Sequence, residues 1–225
     1  MAAYDLIAAE YYSEVKHGAC RNFRQASETL VKAMIDIQPE DKVLEVGAGM
    51  SFAAPLMKEQ NLSLSNLCLA DSSDGMLSHS EKWRAEGATL LLSAAEAIPL
   101  ADKSINIVIS LMGDPYNNPL FWLEMSRVLS SQGQIIMTVP AYQWNRLHGD
   151  GQQAIFTTEK GKRVSVPSFV FEYQQQVMMV ERVGFLLEEY CLFSKGELQG
   201  KVSKAFVSTD DDQAIVEAYL FQKAT

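Results

Sequence analysis

Short and almost continuously apolar runs alternate with amphipathic stretches between residues 40 and 140. The runs predict five strands, at Lys42–Val46, Asn66–Ala70, Thr89–Leu92, Ile105–Ser110 and Gln134–Val139. Apolar runs without alternation are typical of parallel strands that are buried on both faces. The stretches around them predict helices at Arg21–Asp36, Phe52–Gln60, Gly75–Glu86 and Pro119–Leu129. Strands that alternate with helices indicate a parallel sheet with right-handed crossovers.

The last third of the chain has a different pattern. Ile155–Glu159 and Lys162–Val166 flank Lys160-Gly161, which predicts a hairpin. A helix at Glu172–Val183 and two strands at Phe185–Phe193 and Ile215–Phe221 are predicted to follow. The sequence therefore predicts an α/β fold with a doubly wound, mostly parallel seven-stranded sheet, a C-terminal antiparallel strand and a small inserted hairpin.

Neither a repeat nor a linker divides the chain. A single domain is therefore predicted over residues 1–225, with cap helices in 1–40 and an insertion in 141–171 at the ligand-binding edge. Aromatic and polar residues from Tyr4 to Tyr12 predict a short helix over the mouth of the fold.

Charge and cysteine usage narrow the classes of function. The net charge is −9 and the 19 basic residues are scattered, which argues against a nucleic-acid partner. Three cysteines and three histidines have no metal-ligand spacing, so no metal is predicted, and the cysteine usage suits a reducing cytoplasm. The sequence contains no secretory signal pattern and no stretch apolar enough to span a membrane, so no membrane association is predicted.

The first predicted strand leads into a glycine turn. Gly47 and Gly49 close that strand, and Asp71 closes the next strand 22 positions later. Glycines let a backbone approach a ligand closely, and an acid at this spacing can accept hydrogen bonds from a ribose diol. The pattern predicts a crevice for a nucleotide cofactor.

Four motifs occur in order along the chain, at Val43–Gly49, Asp71–Leu77, Ala95–Ser104 and Glu124–Gln134. Together they resemble the class I S-adenosylmethionine-dependent methyltransferases, and specifically the branch that acts on small molecules and quinones. The resemblance implies a Rossmann-like fold, S-adenosylmethionine as cofactor, and in-line methyl transfer to a small-molecule acceptor. Oligomeric state is not predicted.

The resemblance also implies which residues bind the cofactor. Asp71 is expected to hold the ribose, and Glu45 to pair with the α-amino group. Tyr11 is the preferred lid residue, and Met76 and Ile98 are expected to contact adenine. The full set expected to bind cofactor is Tyr11, Glu45, Gly47, Gly49, Asp71, Ser72, Met76, Ala94, Ala95, Glu96 and Leu111.

Two positions depart from the family pattern. Ser51 stands where a third glycine is common, and Ala94 where an aspartate commonly contacts adenine. Backbone groups of Ala94–Glu96 are therefore expected to recognise adenine.

A catalytic signature is not expected, because a sulfonium ion already activates its methyl group and the protein mainly aligns the nucleophile. The candidate bases are His17, Asp114 and His148, although a single histidine is more often structural and Asp114-Pro115 is also typical of a turn. The acceptor cavity is expected to form from Tyr4–Cys20 and Tyr142–Phe171.

Two other functions fit parts of the pattern. One is a family member that binds S-adenosylmethionine without methylating, such as a cyclase or a binding module. The other is a nicotinamide-dependent oxidoreductase, which also uses a glycine turn and a ribose-binding acid. The serine-methionine pattern after Asp71 counts against the second.

Overall fold

In the computed structural model, which describes residues 3–149 and 151–224, nine strands form a seven-stranded sheet and a separate hairpin. The sheet contains β1 (Val43–Val46), β2 (Leu67–Asp71), β3 (Thr89–Leu92), β4 (Ile105–Ser110), β5 (Leu129–Pro140), β8 (Phe185–Ser194) and β9 (Ala214–Lys223). The hairpin contains β6 (Gln153–Thr157) and β7 (Arg163–Pro167). The order across the sheet is β3-β2-β1-β4-β5-β9-β8.

Six strands of the sheet run parallel, and β9 runs antiparallel to both of its neighbours, β5 and β8. This confirms the predicted class, including the antiparallel C-terminal strand and the inserted hairpin. The direction of winding reverses between β1 and β4. In open α/β sheets, ligands bind outside the carboxyl ends of the strands at such a reversal.

Helices cover both faces of the sheet. They are α1 (Gly18–Met34), α2 (Ala53–Glu59), α3 (Asp74–Leu77), α4 (Glu81–Arg84), α5 (Pro119–Val128), α6 (Tyr142–His148) and α7 (Tyr173–Glu181). Along β1, Val43 packs into the core that includes α1, whereas Leu44 packs into the core that includes α5. Both faces of the strand are therefore buried, which explains why its sequence is apolar without alternation.

Three parts of the chain differ from the prediction. The helix expected at Gly75–Glu86 is divided into α3, a 3-10 turn at Ser78–Ser80 and α4. Within that turn the Ser80 hydroxyl donates to the carbonyl of Gly49 at 2.6 Å, so it binds the glycine turn instead of facing solvent. Residues 142–148 form a helix that the pattern did not predict. At the N-terminus, the predicted helix is limited to a 3-10 turn at Ala3–Leu6.

The hairpin packs on this N-terminal turn. Ile7, Val164 and Val166 form a small apolar cluster away from the two main cores. The N-terminal segment and the insertion thus meet above the carboxyl ends of the strands. Within the described ranges, no helix has the length and apolar character needed to cross a membrane.

Candidate functional site

A cavity of about 580 Å³ lies at the carboxyl ends of β1, β2 and β4. One end, which we call the nucleotide end, is lined by Gly47, Asp71 and Ala94. The other, which we call the aromatic end, is lined by Tyr4, Tyr11, Phe156 and Asp114, among others. The volume lies within the range of ligand-binding cavities, roughly 300–1,000 Å³.

The glycine turn after β1 is formed in left-handed backbone conformations. Gly47 has φ of +67° and Gly49 has φ of +43°. A side chain at Gly47 would reach within 2.5 Å of the Tyr116 hydroxyl, and one at Gly49 would collide with the hydroxyl of Tyr12. Glycine is needed at both positions because two tyrosines already cover the turn.

Asp71 ends β2 and fastens this turn. One carboxylate oxygen accepts the Gly49 N–H at 3.0 Å, and the other accepts the Ser73 N–H at 2.9 Å. Burial raises the pKa of Asp71, and these donors oppose the rise. The side chain lines the cavity and a carboxylate has about four acceptor sites, so Asp71 can accept further hydrogen bonds and fits a ribose diol.

Glu45 is occupied by the first turn of α2. Its carboxylate accepts from the backbone N–H groups of Phe52 at 2.8 Å and Ala53 at 3.1 Å. It also accepts from the Ser51 hydroxyl at 2.5 Å. Burial raises the pKa of Glu45 to about 7, and the three donors oppose the rise. Glu45 lines the cavity, and its pairing with an α-amino group stays a prediction.

Ser51 explains the missing third glycine. The residue has a left-handed φ of +47°, a conformation that favours glycine. Its hydroxyl donates to Glu45 and also accepts the Ala54 N–H at 3.1 Å, which glycine could not do. The serine therefore links β1 to the start of α2.

The nucleotide end brings together most of the residues expected to contact adenosine. Those that line it are Ser72, Met76, Ala94, Ala95 and Glu96. Ile98 instead packs in the core beside α5, and its N–H donates to Glu124 at 2.6 Å. Leu111, just after β4, lines the cavity as expected.

No sequence motif indicates a role for Ser93. Its hydroxyl oxygen is buried, lines this end, and has no hydrogen-bond partner among the described residues. A buried polar atom without a partner is costly, so it fits a polar ligand such as adenine. It also lies next to Ala94, where the usual aspartate is absent.

Tyr12 covers the glycine turn more directly than the predicted lid residue, Tyr11. The Met50 N–H donates to the Tyr12 hydroxyl at 2.7 Å. The Arg24 guanidinium lies 4.9 Å from the centre of the Tyr12 ring and 3.6 Å from Glu28. Sequence pattern alone does not distinguish Tyr11 from Tyr12 as the residue that covers the turn. Arg24 on α1 belongs to none of the sequence motifs.

The aromatic end is formed by the N-terminal segment and the hairpin. Ring centres of Tyr4 and Tyr11 lie 5.8 Å apart, and Phe156 lies 6.0 Å from the first and 5.8 Å from the second. The two contacts of Tyr4 are edge-to-face, an arrangement that aromatic pairs prefer, and the contact between Tyr11 and Phe156 is tilted. Tyr11 therefore belongs to this end of the cavity and lines it.

Asp114 is the buried acid of the aromatic end. It follows β4 and Gly113, and only 6% of its surface is exposed. The side chain of Ser168, just after β7, hydrogen-bonds to it, and burial raises its pKa to about 7. The turn interpretation of Asp114-Pro115 is thus incomplete, because the carboxyl group also lines the cavity.

The two candidate histidines occupy different surroundings. His17 is buried, lies 5.7 Å from the Phe156 ring, and its Nε2 has no partner among the described residues. Desolvation lowers the pKa of His17. His148 ends α6, is exposed, and lies 5.0 Å from the Trp144 ring. Across residues 3–149 and 151–224, no group of three His, Cys, Asp or Glu side chains is placed to hold a metal ion.

The central part of the chain matches the sequence model of a known family. Residues 44–137 match the sequence model of a family described as "Methyltransferase domain", which is less than half of the chain. No curated protein matches the sequence significantly.

Solved structures share the fold over nearly the whole chain. A Haloferax volcanii protein in complex with the methyltransferase activator Trm112 has 15% identity and a TM-score of 0.73, covering 99% of this chain and 96% of that one. An S-adenosylmethionine-dependent methyltransferase of Mesorhizobium loti has 13% identity and a TM-score of 0.65, covering 89% and 100%.

A third structure contains ligands. It is the Burkholderia thailandensis 1,6-didemethyltoxoflavin-N1-methyltransferase with 1,6-didemethyltoxoflavin and S-adenosylhomocysteine bound. It has 11% identity and a TM-score of 0.59, covering 99% of this chain and 88% of that chain. At these identities the likeness shows the fold alone.

Proposed function

We propose that the chain carries a class I methyltransferase domain whose cofactor is S-adenosylmethionine, and that it methylates a small-molecule acceptor held in the aromatic end of the cavity. The observation that carries the proposal is that one cavity joins the nucleotide end to the aromatic end. Cofactor and acceptor can then meet without solvent between them, which direct methyl transfer requires. The match to a methyltransferase domain favours this activity over that of a nicotinamide-dependent oxidoreductase.

The nucleotide end supplies the cofactor contacts. Asp71 would hold the ribose, and backbone groups of the glycine turn would approach the methionine part. Ser93 and the neighbouring backbone of Ala94 would receive adenine. When bound, the cofactor supplies an activated methyl group on its sulfonium.

Arg24 would hold the carboxylate of the methionine part. It lines the cavity beside the glycine turn, and its ring contact with Tyr12 limits its orientations. A guanidinium is well suited to a carboxylate, because it donates two parallel N–H bonds. This extends the predicted set of cofactor-binding residues by one cation.

Additions to the common fold would determine the acceptor. The N-terminal segment, the hairpin and α6 all contribute residues to the cavity wall, including Tyr4, Phe156 and Trp144. An enclosed aromatic wall suits a small molecule with an apolar part, and the net charge of −9 disfavours nucleic acid.

Calorimetry with S-adenosylhomocysteine and S-adenosylmethionine tests the first half of the proposal. We expect binding of both, and the absence of binding at millimolar ligand would refute it. An acceptor screen that detects S-adenosylhomocysteine tests the second half. Tight cofactor binding without turnover on any acceptor would support the non-methylating alternative.

A further inference from the structure

Asp114 is an acid without a basic partner. Among the described residues it forms no ion pair, and its carboxylate accepts hydrogen bonds from the Ser168 side chain and from its own backbone N–H. A buried carboxylate that lacks a cation carries a large desolvation cost. A ligand with positive charge would remove that cost, whereas an anionic ligand would increase it.

Aromatic rings line the same end of the cavity as Asp114. Asp114 raises the pKa of both Tyr4 and Tyr11, which places it within electrostatic reach of these rings. Phe156 completes the wall against the two tyrosines. Aromatic faces attract cations, so the rings and the carboxylate favour the same kind of ligand.

His17 adds a second polar side chain to this end of the cavity. Its Nε2 is buried without a partner in the described part of the chain, and its ring packs on Phe156 in the cavity wall. The lowered pKa keeps the imidazole neutral at pH 7, so it does not supply the missing positive charge. One acid and one neutral imidazole within an aromatic wall leave the positive charge to the ligand.

We propose that the acceptor is a small amine, and that its nitrogen donates a hydrogen bond to the carboxylate of Asp114. The proposal rests on the proposed methyl transfer and names the chemical class of its acceptor. Carboxylate or phenolate acceptors would bring a second negative charge to Asp114 and are disfavoured. An alcohol would leave the charge of the buried carboxylate uncompensated.

Asp114 would also accept the proton that must leave before methylation. The bound ammonium group passes one proton to the carboxylate, which frees the lone pair of the nitrogen. That pair forms the bond to the methyl carbon while the carbon–sulfur pair stays on sulfur. The product is an N-methylammonium ion, and Asp114 returns its proton to water.

Matched probes test this assignment. The panel contains aromatic and alkyl compounds, each as an amine, an alcohol and a carboxylate, such as 2-phenylethylamine, 2-phenylethanol and 3-phenylpropionate. Affinity is measured by calorimetry on the protein saturated with S-adenosylhomocysteine, and turnover by release of S-adenosylhomocysteine. We expect amines to bind at least tenfold more tightly than their partners and to be methylated.

The variant Asp114→Asn should remove the preference for amines while its affinity for S-adenosylhomocysteine changes less than about twofold. The exposed Asp210→Asn is the control for loss of one negative charge and should keep the preference. Three results would each overturn the proposal. They are a preference of the wild-type protein for alcohols or carboxylates, an absence of amine binding, and an unchanged preference for amines in Asp114→Asn. Failure of the wild-type protein to bind S-adenosylhomocysteine would instead refute the proposed function.

Discussion

At the scale of single residues, Asp71 both fixes the glycine turn and lines the cavity. Its carboxylate holds the glycine turn through Gly49 and faces the cavity where a ribose would lie. We expect Asp71→Ala to weaken binding of S-adenosylhomocysteine by roughly 1.5–3 kcal/mol, the range for hydrogen bonds to a charged group. Calorimetry measures the loss, and the exposed Asp74→Ala serves as control. Unchanged affinity in Asp71→Ala would contradict the ribose assignment.

Arg24 can be tested with a ligand that lacks the carboxylate. We expect Arg24→Gln to weaken S-adenosylhomocysteine by about 1 kcal/mol, because the cation is partly exposed and solvent screens it. Binding of 5′-methylthioadenosine, which has no amino-acid part, should not change. The control is Lys32→Gln, an exposed cation on the same helix that does not line the cavity. Equal losses for both ligands would assign Arg24 a structural role only.

Asp114 should make stability depend on pH. Its pKa of about 7 lies above the usual value, so its contribution to stability is present at low pH and is lost as pH rises through 7. We expect Asp114→Asn to raise the melting temperature at pH 8 by roughly 2–10 °C, or about 1–3 kcal/mol, and to raise it by less at pH 5, where the folded-state carboxyl is still protonated.

The groups that interact electrostatically with Asp114 do not titrate in this range, and His17 in the same cavity is unchanged between the wild type and the variant. Burial raises the pKa values of those that interact with it, which are Tyr4, Tyr11, Cys20 and Tyr116. Thermal melts of the wild type and the variant at both pH values provide the measurement. Stabilisation of equal size at pH 5 and pH 8 would show that the buried charge is not its cause.

At the scale of elements, we expect the hairpin to affect acceptor selectivity and not cofactor binding. β7 packs on the N-terminal segment through Val164 and Val166, whereas the ribose site that we propose is built by β1 and β2. Replacing residues 155–166 by a short glycine turn should abolish turnover and leave the Kd for S-adenosylhomocysteine within about fivefold. Retained turnover on the native acceptor would show that the hairpin is not part of the acceptor site.

Elements of the sheet could be predicted from the sequence because their signals are local. β3 and β4 begin and end at the expected residues, because each has a continuous apolar run, although β3 at the edge of the sheet is only partly buried. Helix α6 was missed, because its only fully buried residue is Trp144 and the rest carry no apolar period.

The nucleotide end of the cavity could be predicted from the sequence for the same reason. Gly47, Gly49 and Asp71 lie close together along two consecutive strands. The aromatic end could not be assembled, because Asp114 meets Ser168 only through tertiary packing. No spacing rule connects two positions so far apart in the chain.

At the scale of the whole molecule, a cofactor that binds only the folded chain should stabilise the folded state. A ligand at one hundred times its Kd adds about 2.7 kcal/mol. For a chain of this size we expect S-adenosylhomocysteine to raise the melting temperature by roughly 5–10 °C. Thermal melts over a ligand series check it, with adenine alone as the comparison. A shift that does not depend on ligand concentration would contradict specific binding.

The position of β9 in the sheet also affects how the chain folds during synthesis. Strand β8 pairs only with β9, and α1 packs against β5, β8 and β9. A ribosome that adds about 5–20 residues each second makes α1 roughly ten to forty seconds before β9. During that interval the apolar face of α1 lacks much of its native surface, and β8 has no partner. The nascent chain is therefore most prone to aggregate just before β9 emerges.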